Sequence, residues 1–399
     1  MNILHTADWH LGQTFYQYDR YEEHQHFLNW LLITLEEQAI DVLLISGDVF
    51  DTANPSVAAT QLFYHFLHQA TERLPALQII AIAGNHDSPV RLEMPKPLLE
   101  DTQVHLVGTR QVILPLYKKG EIVAYCLAVP FVRLGDYPRV GNALPEYTEG
   151  VAMVYRLLTE EAMAMAGGLP LIAMGHLHAW GAEIGEDDTA ERPIVGGIEG
   201  IKVTHFPTEL QYIALGHIHK AQVLGGKEHI RYAGSPIPLS FAEKHYEHQV
   251  VVFSLDEGGV KDIKPIAIPL HTPLLSVPEK HQPLREVLEA ISSLAERSDK
   301  APLPYVEVRV LLDEPTPELK SSIIQALSNK QVRLARIDVR YKQVNSSNSQ
   351  EWERELFLEE LSPLEVLEGV YKNKYGEALP EFYQRLFREA EAKVQSLEN

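Results

Sequence analysis

The chain has a single cysteine in 399 residues, too few basic side chains to balance its acids, and no apolar run long enough to cross a bilayer. Each shortage removes a class of protein. One thiol cannot close an intrachain disulfide, and the place of Cys126 in the apolar run 122–129 predicts a buried, inert group rather than a nucleophile. No stretch of membrane-spanning length means that no transmembrane anchor is expected. The amino terminus lacks the basic start of a cleaved secretion signal, and cleavage would remove candidate site residues, so a cytoplasmic location is expected. Lys and Arg number 35 against 55 Asp and Glu, a net charge of −20. Nucleic-acid affinity comes largely from Lys and Arg neutralising phosphates, so the charge argues against tight unaided binding to DNA.

What the chain does have is five short islands of metal-binding residue types. They are Asp8 with His10, Asp48, Asn85-His86-Asp87, Gly175-His176 and Gly216-His217-Ile218-His219. Runs rich in Ile, Leu, Val and Ala precede them at 1–6, 41–46, 78–83, 169–174 and 211–215, the pattern of strands buried on both faces. In open α/β sheets, ligands bind outside the carboxyl ends of the strands, where distant segments converge. Gly47, Gly84, Gly175 and Gly216 are expected to allow sharp strand-to-loop turns. Carboxylates, an amide and several imidazoles form a mixed oxygen and nitrogen set that suits Mn, Fe or Zn better than Ca or Mg, with no thiolate to favour structural zinc. Two ions about 3.5–4 Å apart need a bridging carboxylate, for which Asp48 is the candidate. Asp51, three residues on, is placed to orient a catalytic group.

In this order, Asp8-Trp9-His10, Gly47-Asp48 with Asp51, Gly84-Asn85-His86-Asp87, Gly175-His176 and Gly216-His217-Ile218-His219 resemble the motifs of the calcineurin-like metallophosphoesterases. Within that superfamily the opening stretch 5–12, the stretch 47–51 and the segment 232–241 resemble the SbcD family, nuclease subunits of bacterial SbcCD complexes. The resemblance implies an α/β fold with two sheets packed face to face and flanked by helices. It implies that Asp8, His10, Asp48 and His219 hold one divalent ion and that Asp48, Asn85, His176 and His217 hold another, with manganese the foremost candidate. His86, free of metal, would aid departure of the leaving oxygen, oriented by Asp51. It further implies ATP-dependent double-strand exonuclease and single-strand endonuclease activity on DNA. The implied partner is an SbcC-type ABC ATPase with a coiled coil, joined to a homodimer of this chain in a heterotetramer.

Composition divides the chain into a phosphoesterase domain over 1–269, a small α+β domain over 270–343 that the resemblance makes a capping domain, a linker over 344–350 and a helical tail over 351–399. Alternation in Tyr305–Val310 predicts a half-solvated strand with one open sheet face. The tail carries 12 acidic and 6 basic residues from position 345 onward. Its Ser362-Pro363-Leu364-Glu365 is a capping box that starts an amphipathic helix, and a second helix follows; both are expected to dock on the ATPase. No Gly-Lys-Ser/Thr follows the glycines at 196–200, so they do not form a P-loop. Arg20, Arg91 and Lys96 are candidate phosphate contacts, Asp87 is expected to orient its loop, His178 to contact ligands indirectly or solvent, and His24, His26, His65 and His68 to lie on the surface. Two alternatives stay open: a related phosphatase or phosphodiesterase acting on phosphoproteins or small nucleotides, and a noncatalytic DNA-end scaffold.

Overall fold

The computed structural model describes residues 1–141, 144–183, 200–296, 302–342, 371, 379–380, 383–384 and 387. The chain divides into two compact units, Met1–Tyr341 and Lys342–Asn399. The linker, the capping box and most of the expected tail helices lie outside the described residues, as do the glycines at 196–197.

Apolar runs without a polar face become central strands. Val42–Ser46 and Gln78–Ile82 are buried at every position. The first sheet runs, edge to edge, Gly259–Ala267, Gln249–Asp256, Asn2–Thr6, Val42–Ser46, Gln78–Ile82 and Val104–Val107. Its last four strands are parallel, and Gln249–Asp256 adds antiparallel to Asn2–Thr6. The second runs Gln222–Leu224, Lys227–Tyr232, Leu210–Gly216, Leu171–His176, Glu121–Ala128 and Val112–Lys118, with a parallel centre. Between the sheets, Ile3, Leu44 and Ile82 meet Ala128, Met174 and Ala214. Cys126 lies in this layer, where burial pushes its thiol pKa up, so it stays protonated.

Helices Tyr21–Glu37 and Val57–Arg73 cover the outside of the first sheet, and Tyr147–Ala166 covers the second. The cap at Ser56, whose side chain accepts the Ala59 N–H at 3.1 Å, starts the second helix sharply. Trp9 sits fully buried among Phe27, Phe63 and Phe66, locking the first metal-motif loop to both helices. His24 departs from expectation: it is buried on the first helix, and burial followed by the Arg20 charge lowers its pKa to about 3. His65 and His68 are exposed, and His26 is half-buried against His271.

Beyond Ala267 come Leu274–Gln282, Leu284–Ser292, Tyr305–Leu312, Leu319–Leu327 and Arg333–Tyr341, whose three strands form a small parallel sheet. Val306, Val308 and Val310 pack against Val287, Ile291 and Ile323 of its helices. The alternation in this strand is real, but of its polar face only Arg309 is partly solvated: Tyr305 and Glu307 have no exposure. Tyr305 packs against Phe15 and Phe241 of the phosphoesterase core, and Glu307 is held by Arg309 and Arg336. A buried carboxylate of this kind is tolerated because cations and hydrogen bonds surround it.

Candidate metal centre

The Asp8 and Asp48 loops at the strand tips are stitched together by their backbones. The Asp8 N–H donates to the Gly47 carbonyl, and His10 N–H to that of Asp48, both at 3.0 Å, while Leu11 N–H reaches the Val49 carbonyl at 2.9 Å. The Asp87 carboxylate accepts the N–H groups of Val49 at 3.1 Å and of Phe50 and Gly84 at 2.9 Å, so it orients its own loop and the Asp48 loop together. Burial, then the neighbouring Asp48, raises its pKa to about 6 against the pull of those N–H bonds. Asp8, His10, Asp48 and His217 all have positive φ, at 53°, 44°, 48° and 106°. That conformation is uncommon without glycine and is held here by the surrounding bonds, which aim the side chains inward.

Three of the four glycines serve a different need from the expected one. Only Gly47 among the four has a left-handed φ, +91°. At Gly84 a Cβ would lie 2.1 Å from Asp48 Oδ1, and at Gly216 it would lie 2.0 Å from the Ser46 carbonyl. Close approach, not turning, requires glycine there. Gly84→Ala is therefore expected to displace the Asp48 carboxylate and weaken divalent-ion binding about 10–100-fold, the scale seen when ligand-orienting groups are lost. Calorimetric titration with manganese(II) measures this directly; unchanged affinity would mean that the carboxylate can move aside.

Asp48 Oδ2 lies 3.3 Å from His176 Nε2 and 3.7 Å from His10 Nε2, so it stands between two imidazoles. Donor atoms of Asp8, His10 and His219 lie within 4.8 Å of one another, as do those of Asp8, Asp48 and His176. Asn85 Oδ1 is 2.9 Å from both His176 Nε2 and His217 Nδ1, and the His217 N–H donates to Asp8 Oδ1 at 3.0 Å. The seven residues expected as ligands thus share one cluster.

Bonds behind the cluster set the imidazole orientations. His176 Nδ1 donates to the Ser46 carbonyl at 2.9 Å, His219 Nδ1 to Glu243 Oε1 at 3.0 Å and His10 Nδ1 to Asp51 Oδ1 at 3.2 Å. Each acceptor keeps a proton on Nδ1 and leaves Nε2 as the ring's donor atom toward a metal. His10 Nε2 is buried with no hydrogen-bond partner. A buried lone pair beside carboxylates and imidazoles is costly when unpaired and fits a divalent cation. Burial lowers the His176 pKa, but Asp48 and Asp8 outweigh it and raise the pKa to about 9, so a proton offsets part of the negative charge when no cation does. Burial, with His176 adding, pushes His217 down to about 3 and keeps it neutral.

His86 sits at the rim, half-buried, with its ring 4.9 Å from that of His10. Its N–H donates to Asp48 Oδ1 and its Nδ1 to the Asp51 backbone carbonyl, both at 2.8 Å. Asp51 therefore reaches His86 through its main chain while its carboxylate faces His10, a division that sequence spacing cannot reveal. His178 is half-buried, its ring 6.4 Å from that of His217. Arg20 is no phosphate contact: it is buried and bonded to Gln13, Pro238 and Glu23. Lys96 pairs with Glu93, and Arg91 is exposed. Glu243, behind His219, escapes sequence reasoning, because a glutamate two residues past the segment 232–241 carries no local mark of burial.

Residues 1–221, which hold all five islands, match the calcineurin-like phosphoesterase family. Residues 271–375 match a family described as the Type 5 capsule protein repressor C-terminal domain. Over 358 residues, 85% of this chain and 87% of the relative, the sequence is 38% identical to the SbcD component of the SbcCD nuclease of Rhodobacter capsulatus. The chain belongs to the SbcD family. Other SbcD relatives are those of Escherichia coli K12, 33% identical over 82% of each chain, and of Bacillus subtilis 168, 32% identical over 78% of this chain and 79% of that one. As an SbcD-family phosphoesterase it is a metal-dependent hydrolase, and the donor set described above suits divalent ions.

Proposed function

We propose that the chain hydrolyses DNA phosphodiester bonds at a dinuclear centre, as the nuclease subunit of an SbcCD-type complex. The observation that carries this reading is Asp48 Oδ2 set between His10 and His176, with the His86 ring beside that of His10. Asp8, His10, Asp48 and His219 would hold one ion, and Asp48, Asn85, His176 and His217 the other. Two such cations supply charge neutralisation on the phosphate and a more acidic nucleophilic water. His86, its Nδ1 proton held by the Asp51 carbonyl, presents Nε2 to carry a proton to the departing oxygen. His10, braced by the Asp51 carboxylate, keeps its Nε2 directed at the cluster. The mix of oxygen and imidazole nitrogen donors suits Mn, Fe or Zn, and manganese is the metal proposed first.

DNA as substrate rests on the relatives, which are named nucleases. A net charge of −20 makes a partner's grip on DNA valuable. An ATPase of the SbcC type, engaged by the tail, fits that need and would make double-strand exonuclease action ATP-dependent, with single-strand endonuclease action alongside. The assembly would contain a homodimer of this chain. No helix among the described residues is long and apolar enough to cross a membrane, and the proposed location is the cytoplasm. The test is manganese-dependent cleavage of single-stranded DNA against turnover of an aryl phosphate monoester; turnover of the monoester alone would overturn the nuclease reading. Co-purification with a coiled-coil ATPase, lost on truncation after Val344, tests the partnership.

A further inference from the structure

The groups behind His219 form one connected chain that leaves the metal cluster and ends in the small sheet. Glu243, with no exposure, accepts His219 Nδ1 on Oε1 at 3.0 Å. Its Oε2 accepts the Leu239 N–H at 2.9 Å and the Ser235 hydroxyl at 3.2 Å. The Leu239 carbonyl takes the Gln13 amide at 3.1 Å, and Gln13 Oε1 takes Arg20 Nη1 at 2.8 Å. Arg20 also donates to the Pro238 carbonyl and, through Nη2, to Glu23 Oε2, both at 2.6 Å. Glu23 Oε1 accepts the hydroxyl of Tyr305, in the central strand of the small sheet, at 2.9 Å.

The turn that carries Glu243, Phe241–His245, is tied to the small sheet on its other sides as well. Phe241 packs with Phe15 and Tyr305. Lys244 Nζ reaches Ser276 Oγ at 2.8 Å and Glu279 Oε2 at 2.6 Å, both in the sheet's first strand. A second branch runs from Gln13, whose N–H donates to the His10 carbonyl at 3.0 Å. Each bond in a buried polar chain fixes the next group, and the Arg20 atom left without a partner, Nε, is off the path that joins Glu243 to Tyr305 through Nη1 and Nη2.

We propose that Glu243 is a positioning residue for His219, and that the seating of the small sheet on the phosphoesterase core sets how firmly His219 holds its ion. The inference rests on the dinuclear reading above. Three donors converge on the two oxygens of Glu243, so Glu243→Gln, with one oxygen, must turn an amide N–H toward either His219 or Leu239. Tyr305→Phe keeps the ring in its aromatic cluster and deletes only the hydroxyl at the far end of the chain.

Manganese(II) titration of the full chain by calorimetry, with melting temperatures taken in the absence of metal, tests the proposal. Wild type is expected to take up two ions. Glu243→Gln should weaken one of them about 10–100-fold and spare the other, the range found for lost ligand-orienting partners. Tyr305→Phe should weaken the same ion by about two- to fivefold, the scale of one hydrogen bond. Lys261→Met, at an exposed ion pair with Asp256, should change neither. A merely structural role would lower the melting temperature and affect both ions together, which would overturn the assignment of Glu243, as would wild-type affinity for both. Unchanged binding in Tyr305→Phe would overturn the link to the small sheet, and this variant decides that point even if Glu243→Gln does not fold. A wild-type chain that takes up fewer than two ions would instead overturn the dinuclear reading, and this inference with it.

Discussion

Alanine at Asp48 is expected to yield a folded chain that retains neither ion and loses nearly all of its DNA cleavage. The carboxylate lies between the two halves of the cluster: Oδ2 is set between His176 and His10, and Oδ1 accepts the His86 N–H at 2.8 Å. Its loss removes the group that draws the two halves of the cluster together and the main cause of the raised His176 pKa. With several kcal/mol of transition-state stabilisation gone, the rate should fall about 10³-fold or more. The fold should persist, because the Asp48 loop is held mainly by its backbone bonds to His10 and by the Asp87 carboxylate, neither of which the substitution removes. Elemental analysis of the purified variant beside a cleavage assay measures both effects. Full metal occupancy in Asp48→Ala would remove the bridging role.

The second expected result separates chemistry from metal binding. His86→Ala should keep both ions and lose about 10²–10⁴-fold in kcat, the usual contribution of a positioned general acid or base. Its imidazole touches the cluster only at the rim, and its strongest tie there is a backbone N–H that alanine also possesses. The Asp51 carbonyl loses the imidazole as its donor, but the site is half-buried, so water can take that place. Equal metal loss in His86→Ala and Asp48→Ala would refute the division of roles. Rates near wild type would show that the leaving oxygen needs no imidazole.

The two results bear on a cluster whose outline is legible in the sequence. Asp8, His10, Asp48, Asn85, His176, His217 and His219 each follow an apolar run, and a run buried on both faces of a sheet has one productive place to deliver a polar residue: its carboxyl end. Five such runs in parallel strands converge by topology, so spacing along the sequence carries spatial information. The helices are equally legible where periodicity and a cap agree, as at Ser56.

Legibility fails where burial is conferred by a remote segment. Arg20 looks like a free cation in the sequence, although Pro238, more than two hundred residues away, supplies one of its three acceptors and helps to bury it. His24 looks exposed because nothing around it in the sequence announces that its side of the helix is covered. Asp51 illustrates a finer limit: spacing places it near His86, but only the tertiary structure distinguishes its carbonyl, which faces His86, from its carboxylate, which faces His10.

By itself, then, the sequence determined the donor set, the order in which strands present it and the class of chemistry it can perform, because those depend on residue type and local periodicity. Tertiary structure alone decided which atom of each imidazole faces the cluster, why Gly84 and Gly216 must lack a Cβ, and that the polar face of Tyr305 and Glu307 is pressed against the core rather than solvent. Those outcomes depend on contacts between segments far apart in the chain, where the energy of pairing a buried polar group overrides what its neighbours in sequence suggest.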